Sequence, residues 1–270
     1  GYPNQLFPIL GDFNYVICKV DIDGKTYLLD ATDPLIPFGL LPLRCINDKG
    51  RVIPKDSPSY WIDLKASEKE SRNINTVLAL QENGKLTGTI SFSSSGYEAY
   101  RRRSKIKSFT SISAYVEDLD ERMPKVRIIK SDVQNVDTLD KILTETYEVE
   151  IDVLDRINHS KIDFNPYFID PLTENPFKLP YRTYPVDFGA PIETKLVMQL
   201  KYPDNYQILN LPENTVFNLP NSGGRFISQV NSNNNNITLF QSTIFTKPIY
   251  NPDEYPYLKE LFNKILQTQK

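Results

Sequence analysis

The sequence is poor in the side chains that most often carry catalysis or hold metals. It has one histidine, two cysteines, two methionines and one tryptophan in 270 residues. A zinc site or a disulfide framework needs more cysteine and histidine than this. The formal net charge is −3, with acids and bases nearly balanced. The cationic surface that tight nucleic-acid binding requires is therefore missing. No apolar run reaches the roughly 18–20 residues needed to cross a bilayer as a helix. A glycine-rich phosphate loop, a Gly-x-Ser-x-Gly elbow and a zinc motif are absent as well. These gaps predict no cofactor, no metal and no nucleic-acid partner.

The scarce residues themselves offer little. His159 stands in Asn158-His159-Ser160 with no metal-ligand or base partner in its neighbourhood, and is expected on a surface loop. Asp21 and Asp23-Gly24 open like a calcium loop, but no glutamate follows where that loop closes, and a tight turn accounts for them. Cys18 and Cys45 allow one bridge at most. The expected reading is two small buried apolar side chains. A start at Gly1-Tyr2-Pro3-Asn4, without methionine and without a recognisable signal peptide, predicts a longer native N-terminus.

What is plentiful points to strands. Tyrosine (16), phenylalanine (14) and proline (20) outnumber glycine (11); aromatics suit half-buried pleated surfaces, and long helices do not tolerate so much proline. The clearest local signal spans residues 13–32. Two strand-like runs flank Asp23-Gly24, a strong two-residue hairpin turn. With that turn Ile22 faces Lys25, and the same register carries outward to set Tyr15 opposite Thr32. Val16, Cys18, Val20, Ile22, Tyr27, Leu29 and Ala31 then share one nearly apolar face. Tyr15, Ile17, Lys19, Asp21, Thr26, Leu28, Asp30 and Thr32 share the other. Asp30 becomes a diagonal neighbour of Tyr15, about 7–8 Å away along the backbone. An acid so placed beside a longer side chain is how a catalytic imidazole is oriented in a triad.

These residues carry a resemblance. Phe13-Asn14-Tyr15-Val16-Ile17 followed by Ile22-Asp23-Gly24-Lys25-Thr26-Tyr27-Leu28-Leu29-Asp30-Ala31-Thr32-Asp33-Pro34 resembles the end of the transglutaminase-like core of the papain-like superfamily. There a histidine in an Asn-His-Val-type sequence and an aspartate in a Leu-Asp-Ala-Thr-type sequence follow an upstream catalytic cysteine. Asp30 matches the aspartate; Tyr15 stands at the histidine; the cysteine has no counterpart. A phenol titrates near 10 and a neighbouring carboxylate disfavours phenolate, so a tyrosine there is a poor base at neutral pH. Tyr15 and Asp30 are expected as vestigial triad positions with no catalysis. The continuation Leu35 to Asn47 and Gly50 to Ile53 is similar to a narrower group of bacterial envelope proteins that end in a β domain of unknown role. The resemblance implies a periplasmic or cell-envelope location, upstream domains in the same protein, and a structural or recognition role towards protein, peptide or glycan. Its alternative is an active cysteine transferase or protease whose nucleophile lies upstream.

Past Tyr60-Trp61-Ile62-Asp63-Leu64, the charged stretch Lys65 to Arg72 predicts a boundary, giving segments 1–64 and 65–270. Strands are expected at 74–81 and 85–93 about Glu82-Asn83-Gly84, then at 126–129, 145–153, 195–202, 225–230 and 237–246, with a turn over 231–236. Two helical stretches, 95–104 and 111–119, end before Pro124. The triple arginine 101–103 is expected on a solvated helix face. The proline- and aromatic-rich stretch from Asn165 to Pro191 predicts an ordered meander over a sheet edge. A last helix over 254–266, capped by Asp253, carries a stripe of Tyr257, Leu258, Leu261, Phe262, Ile265 and Leu266. Strands at this spacing with few helices predict a mainly β (α+β) fold, an antiparallel β-sandwich with a short helical insertion and a C-terminal helix.

Overall fold

The computed structural model describes residues 4–123, 125–153 and 161–269. His159 and Pro124 lie outside the described residues. The alternation read at 74–93 produces two long strands, β5 (Glu70–Leu80) and β6 (Lys85–Ser95), joined at the Asn83-Gly84 turn. Four shorter strands precede them: β1 (Cys18–Ile22), β2 (Lys25–Leu29), β3 (Asp48–Val52) and β4 (Tyr60–Leu64). Helices α1 (Gly96–Lys107) and α2 (Ile112–Arg122) follow β6, and β7 (Val126–Gln134) and β8 (Leu143–Asp152) follow them. The rest is β9 (Val186–Asp187), β10 (Ile192–Lys201), β11 (Thr215–Asn218), β12 (Gly224–Asn233), β13 (Asn236–Phe245), β14 (Ile249–Tyr250) and α3 (Tyr255–Thr268).

The fold is mainly β, with the helical insertion and C-terminal helix in place. The sandwich expectation is refined by the pairing. The long strands form one continuous eight-stranded ladder in the order β11-β12-β13-β10-β5-β6-β8-β7. Every junction is antiparallel except β10–β5, which is parallel. Parallel neighbours need a crossover rather than a hairpin, and here the crossover comprises everything between residues 80 and 192. The predicted turn over 231–236 shrinks to Asn234-Asn235, both at positive φ, because the flanking strands pair as far as Asn233 and Asn236.

One face of this sheet is dry. Ile74, Leu78, Leu86, Ile90, Tyr147, Val149, Met198 and Leu239 are buried on it, while Asn73, Asn75 and Glu148 on the opposite face are exposed. A two-residue period with one apolar side is what a single covered face requires. Helix α3 covers one end: Tyr255, Leu258, Leu261 and Ile265 are buried with Phe226, Phe245 and Leu219. Its cap differs from the expectation. Glu254, not Asp253, is the N-cap, and its carboxylate accepts the Asn251 amide at 2.9 Å and Lys247 Nζ at 2.7 Å. Tyr257 is half exposed, and Tyr255 takes its place in the core.

The proline-rich meander crosses the sheet face rather than its edge. Tyr167 is buried with the central core and its hydroxyl lies 2.8 Å from that of Ser228 on β12. Asn175 ties the meander to α3 through the Lys259 carbonyl at 2.9 Å. Tyr181 and Tyr184 of the same stretch are exposed.

Thr76 sits on the dry face of β5, opposite Ile90 and Met198, fully buried, and its hydroxyl has no partner among the described residues. A buried hydroxyl without a partner costs about 1–3 kcal/mol. Thr76→Val keeps the shape and removes that cost, so it should raise stability by about 1 kcal/mol. The urea midpoint should rise at unchanged slope; a fall would show that the hydroxyl is satisfied.

Candidate functional site

The β1–β2 hairpin turns at Asp23 and Gly24, both at positive φ (50° and 75°), as a two-residue hairpin demands. Its register runs from Cys18↔Leu29 to Ile22↔Lys25. The ladder stops there, so Tyr15 and Thr32 lie beyond the paired strands, yet the side chains of their shared face still meet. The Tyr15 hydroxyl donates to Asp30 Oδ2 at 2.7 Å and stands 2.8 Å from Thr32 Oγ1. Asp30 Oδ1 accepts the Thr32 amide at 2.9 Å, and the Asp30 side chain is only 1% exposed. From the short 3-10 turn Leu43–Cys45, Arg44 reaches over the pair. Its Nη2 donates to the Tyr15 hydroxyl at 2.8 Å, lies 3.8 Å from Asp30 Oδ2, and its guanidinium centre sits 5.0 Å from the Tyr15 ring centroid.

This arrangement saturates the phenol. A tyrosine hydroxyl has one proton to give and two lone pairs. Asp30 takes the proton, since a carboxylate only accepts; Arg44 fills one lone pair, since a guanidinium only donates. Thr32 must then donate to the second. Burial on its own would raise the Asp30 carboxyl; the Thr32 amide, the Tyr15 hydroxyl and the Arg44 charge outweigh it and hold Asp30 below the usual carboxylate range. No site on Tyr15 is left to receive a proton from a substrate.

Two cysteines lie in this segment. Both are free thiols, and Cys18 is exposed rather than buried as expected. Cys45 is buried beside Arg44, and burial pushes its thiol up, away from the reactive thiolate. The reason for the exposed Cys18 is the way the hairpin sits. Its mixed face is the one packed: Tyr15, Ile17 and Leu28 lie against Leu41, Cys45 and Leu64. The nearly apolar face is the less covered one: Val16 is 87% and Ile22 44% exposed, while Val20, Tyr27 and Leu29 are half-buried and Tyr27 lies near Phe38. Segment 1–64 meets the later chain where the Tyr100 hydroxyl on α1 donates to Asp33 Oδ2 at 2.6 Å and where Leu40 packs with Tyr97 and Ala190.

A second polar constellation was not read from the sequence. The arginines of α1 do not form a solvated face. Arg101 is exposed, but Arg102 and Arg103 are not. Arg102 grips buried Glu145 of β8 with Nε and Nη2 at 2.5 and 3.0 Å, and the Tyr115 and Tyr147 hydroxyls donate to the same carboxylate at 2.8 and 2.7 Å. Phe92 lies between the guanidinium groups of Arg72 and Arg102, at 4.8 and 5.3 Å. Arg103 binds no carboxylate; it donates to four backbone carbonyls of the loop between β7 and β8. Three consecutive helical residues sweep about 200°, so they cannot all face water.

Fold and site together define a mainly β chain with a locked tyrosine–aspartate pair at one end. A family described as a domain of unknown function with a solved structure, DUF3858, matches residues 159–270, which hold β9 to β14 and α3. No curated protein matches. Among solved structures, a "putative protease" from Parabacteroides distasonis is similar over 99% of this chain and 37% of its own, at 11% identity and a TM-score of 0.44. The chain thus spans little more than a third of the length of that protein.

Proposed function

We propose that this chain is a non-catalytic structural or recognition unit of a transglutaminase-like envelope protein. Residues 1–64 close a degenerate core, and residues 65–270 form the β domain that follows it. One observation carries the reading: the side chain at the base position, Tyr15, has every hydrogen-bonding valence engaged by Asp30, Thr32 and Arg44. Such a pair holds a loop in place and accepts no proton. Exposed Val16 and Ile22 on the hairpin support the remainder of this reading, because neighbouring exposed apolar side chains suit a contact surface that the remainder of a core would cover. Exposed Leu179, Tyr181 and Tyr184 on the meander offer apolar and aromatic contacts suited to a peptide, glycan or protein partner. The envelope location belongs to the same resemblance.

The test is an assay of this chain for hydrolysis and transamidation of glutamine-containing peptides. No turnover is expected from the wild type, and none from Tyr15→His, because Arg44 would still lie over the imidazole and oppose its protonation. Turnover that disappears in Asp30→Ala would overturn the reading.

A further inference from the structure

Between the meander and the dry face of the sheet lies a cavity of about 90 Å³ that neither the tyrosine–aspartate pair nor the proposed role uses. Its lining includes Ile74, Leu196, Thr243, Gln241, Arg72 and Asp170. Two of these carry unmet valences. Gln241 is 9% exposed and its Oε1 has no hydrogen-bond partner among the described residues; the buried Nε of Arg72 has none either. Buried polar atoms without partners are rare, and each calls for an occupant. Here an orphaned acceptor borders the same space as a guanidinium whose Nε has no hydrogen bond, only an ion pair with Glu98 Oε1 at 3.9 Å.

Asp170 is the only carboxylate in the lining, and it is joined to Arg72 Nη1 by an ion pair at 2.8 Å. Its side chain is 71% exposed, it belongs to no strand or helix, and its backbone sits at φ +45°, a left-handed conformation that an L-residue adopts at a cost. The ion pair thus joins a solvent-facing residue of left-handed backbone to the guanidinium that lines the cavity.

We propose that this cavity binds a small free α-amino acid. The carboxylate replaces Asp170 on Arg72, the ammonium donates to Asp170 and to Gln241 Oε1, and a short side chain rests against Ile74 and Leu196. The match is one of charge and size. Arg72 and Asp170 present opposite charges to one small space, so a zwitterion restores both partners at once, whereas a simple anion or cation leaves one charge unpaired. A cavity of about 90 Å³ suits the smaller members of the class.

The experiment is calorimetric titration of the whole chain with glycine and with L-alanine, alongside acetate and methylammonium as single-charge probes. Glycine and alanine should bind with Kd of roughly a millimolar or tighter, and each single-charge probe at least about tenfold more weakly. Asp170→Asn should weaken glycine at least about tenfold and tighten acetate, which then no longer displaces a carboxylate from Arg72. Gln241→Leu should weaken glycine and alanine alike. The proposal fails if neither amino acid binds at about ten times that concentration, which would leave the cavity to water. It fails equally if Asp170→Asn and Gln241→Leu both bind glycine as the wild type does.

Discussion

Replacing Arg103 by methionine should cost about 3–5 kcal/mol of folding free energy, the range for uncovering buried charge-assisted contacts. Arg103 is 1% exposed, and its side-chain hydrogen bonds among the described residues go to backbone oxygens: Asn135 and Leu139 at 3.1 Å, Thr138 at 3.0 Å and Lys141 at 2.6 Å. It is the hub around which the loop between β7 and β8 is wound. Methionine fills the stem's volume and supplies no donor, so four carbonyls lose their partner together. Some will recover water, because the loop borders solvent, which keeps the loss below a simple sum. Lysine has three donors on one point and lacks the planar fork, so Arg103→Lys should fall between the two. Chemical unfolding reads the total, and hydrogen exchange should locate the first opening within residues 135–142. A loss below about 1 kcal/mol for the methionine variant would show that the loop holds its own shape.

That residue also marks where reading the sequence stops. The hairpin at residues 18–29 was legible because Asp-Gly between alternating runs fixes both turn and register. The long strands and the last helix were legible because a period of two or of 3.6 repeats over many residues. The parallel β10–β5 junction was not, since its partners are far apart in sequence and no local pattern names them. Nor was the face of the hairpin that packs. Periodicity sorts Val16, Cys18 and Ile22 from Tyr15, Ile17 and Leu28, but both sets hold apolar side chains, and what covers them decides the rest. For the arginines a signal did exist. Glu145 shares the inward parity of β8 with Leu143, Tyr147, Val149 and Ile151, and an acid at a core position asks for a buried cation.

The Tyr15–Asp30 contact shows both sides of this. The side chains meet as the register implies, although the ladder ends three residues short of Tyr15. What the register could not supply is Arg44, which arrives from a separate turn and converts a bare pair into a closed set of hydrogen bonds. The residue type at position 15 argues against a base; the saturation of its hydroxyl is the stronger argument, and only the assembled fold contains it.

Truncating Glu145 should be as damaging as losing Arg103, and it should leave a pH signature as well. Glu145→Ala leaves the mostly buried Arg102 guanidinium with only the more distant Glu98 carboxylate, at 3.9 Å, and breaking such a pair costs about 3–5 kcal/mol. Glu145→Gln should cost less, about 2 kcal/mol, because its carbonyl still accepts one bond while its amide hydrogens oppose those of Arg102. Burial by itself would lift the Glu145 carboxyl; the Arg102 bonds and charge, joined by the Tyr147 and Tyr115 hydroxyls, win and hold it below its ordinary value. Burial and the nearby Glu145 charge in turn push the Tyr115 phenol to about 12, so it stays a donor. A folded-state carboxyl below its unfolded value contributes stability that is complete above the unfolded value near 4.3 and disappears as pH falls through the folded one. Asp30, Glu193 and Glu254 are depressed too and add in the same direction, while Glu70, raised chiefly by burial, works against them. The wild type should therefore lose stability between about pH 5 and about pH 3, and Glu145→Gln should lose distinctly less over that interval. Urea midpoints of both proteins across the interval give the comparison. Parallel curves would mean that the Glu145 carboxyl is not ionised in the fold, and that its four hydrogen bonds belong to a neutral acid.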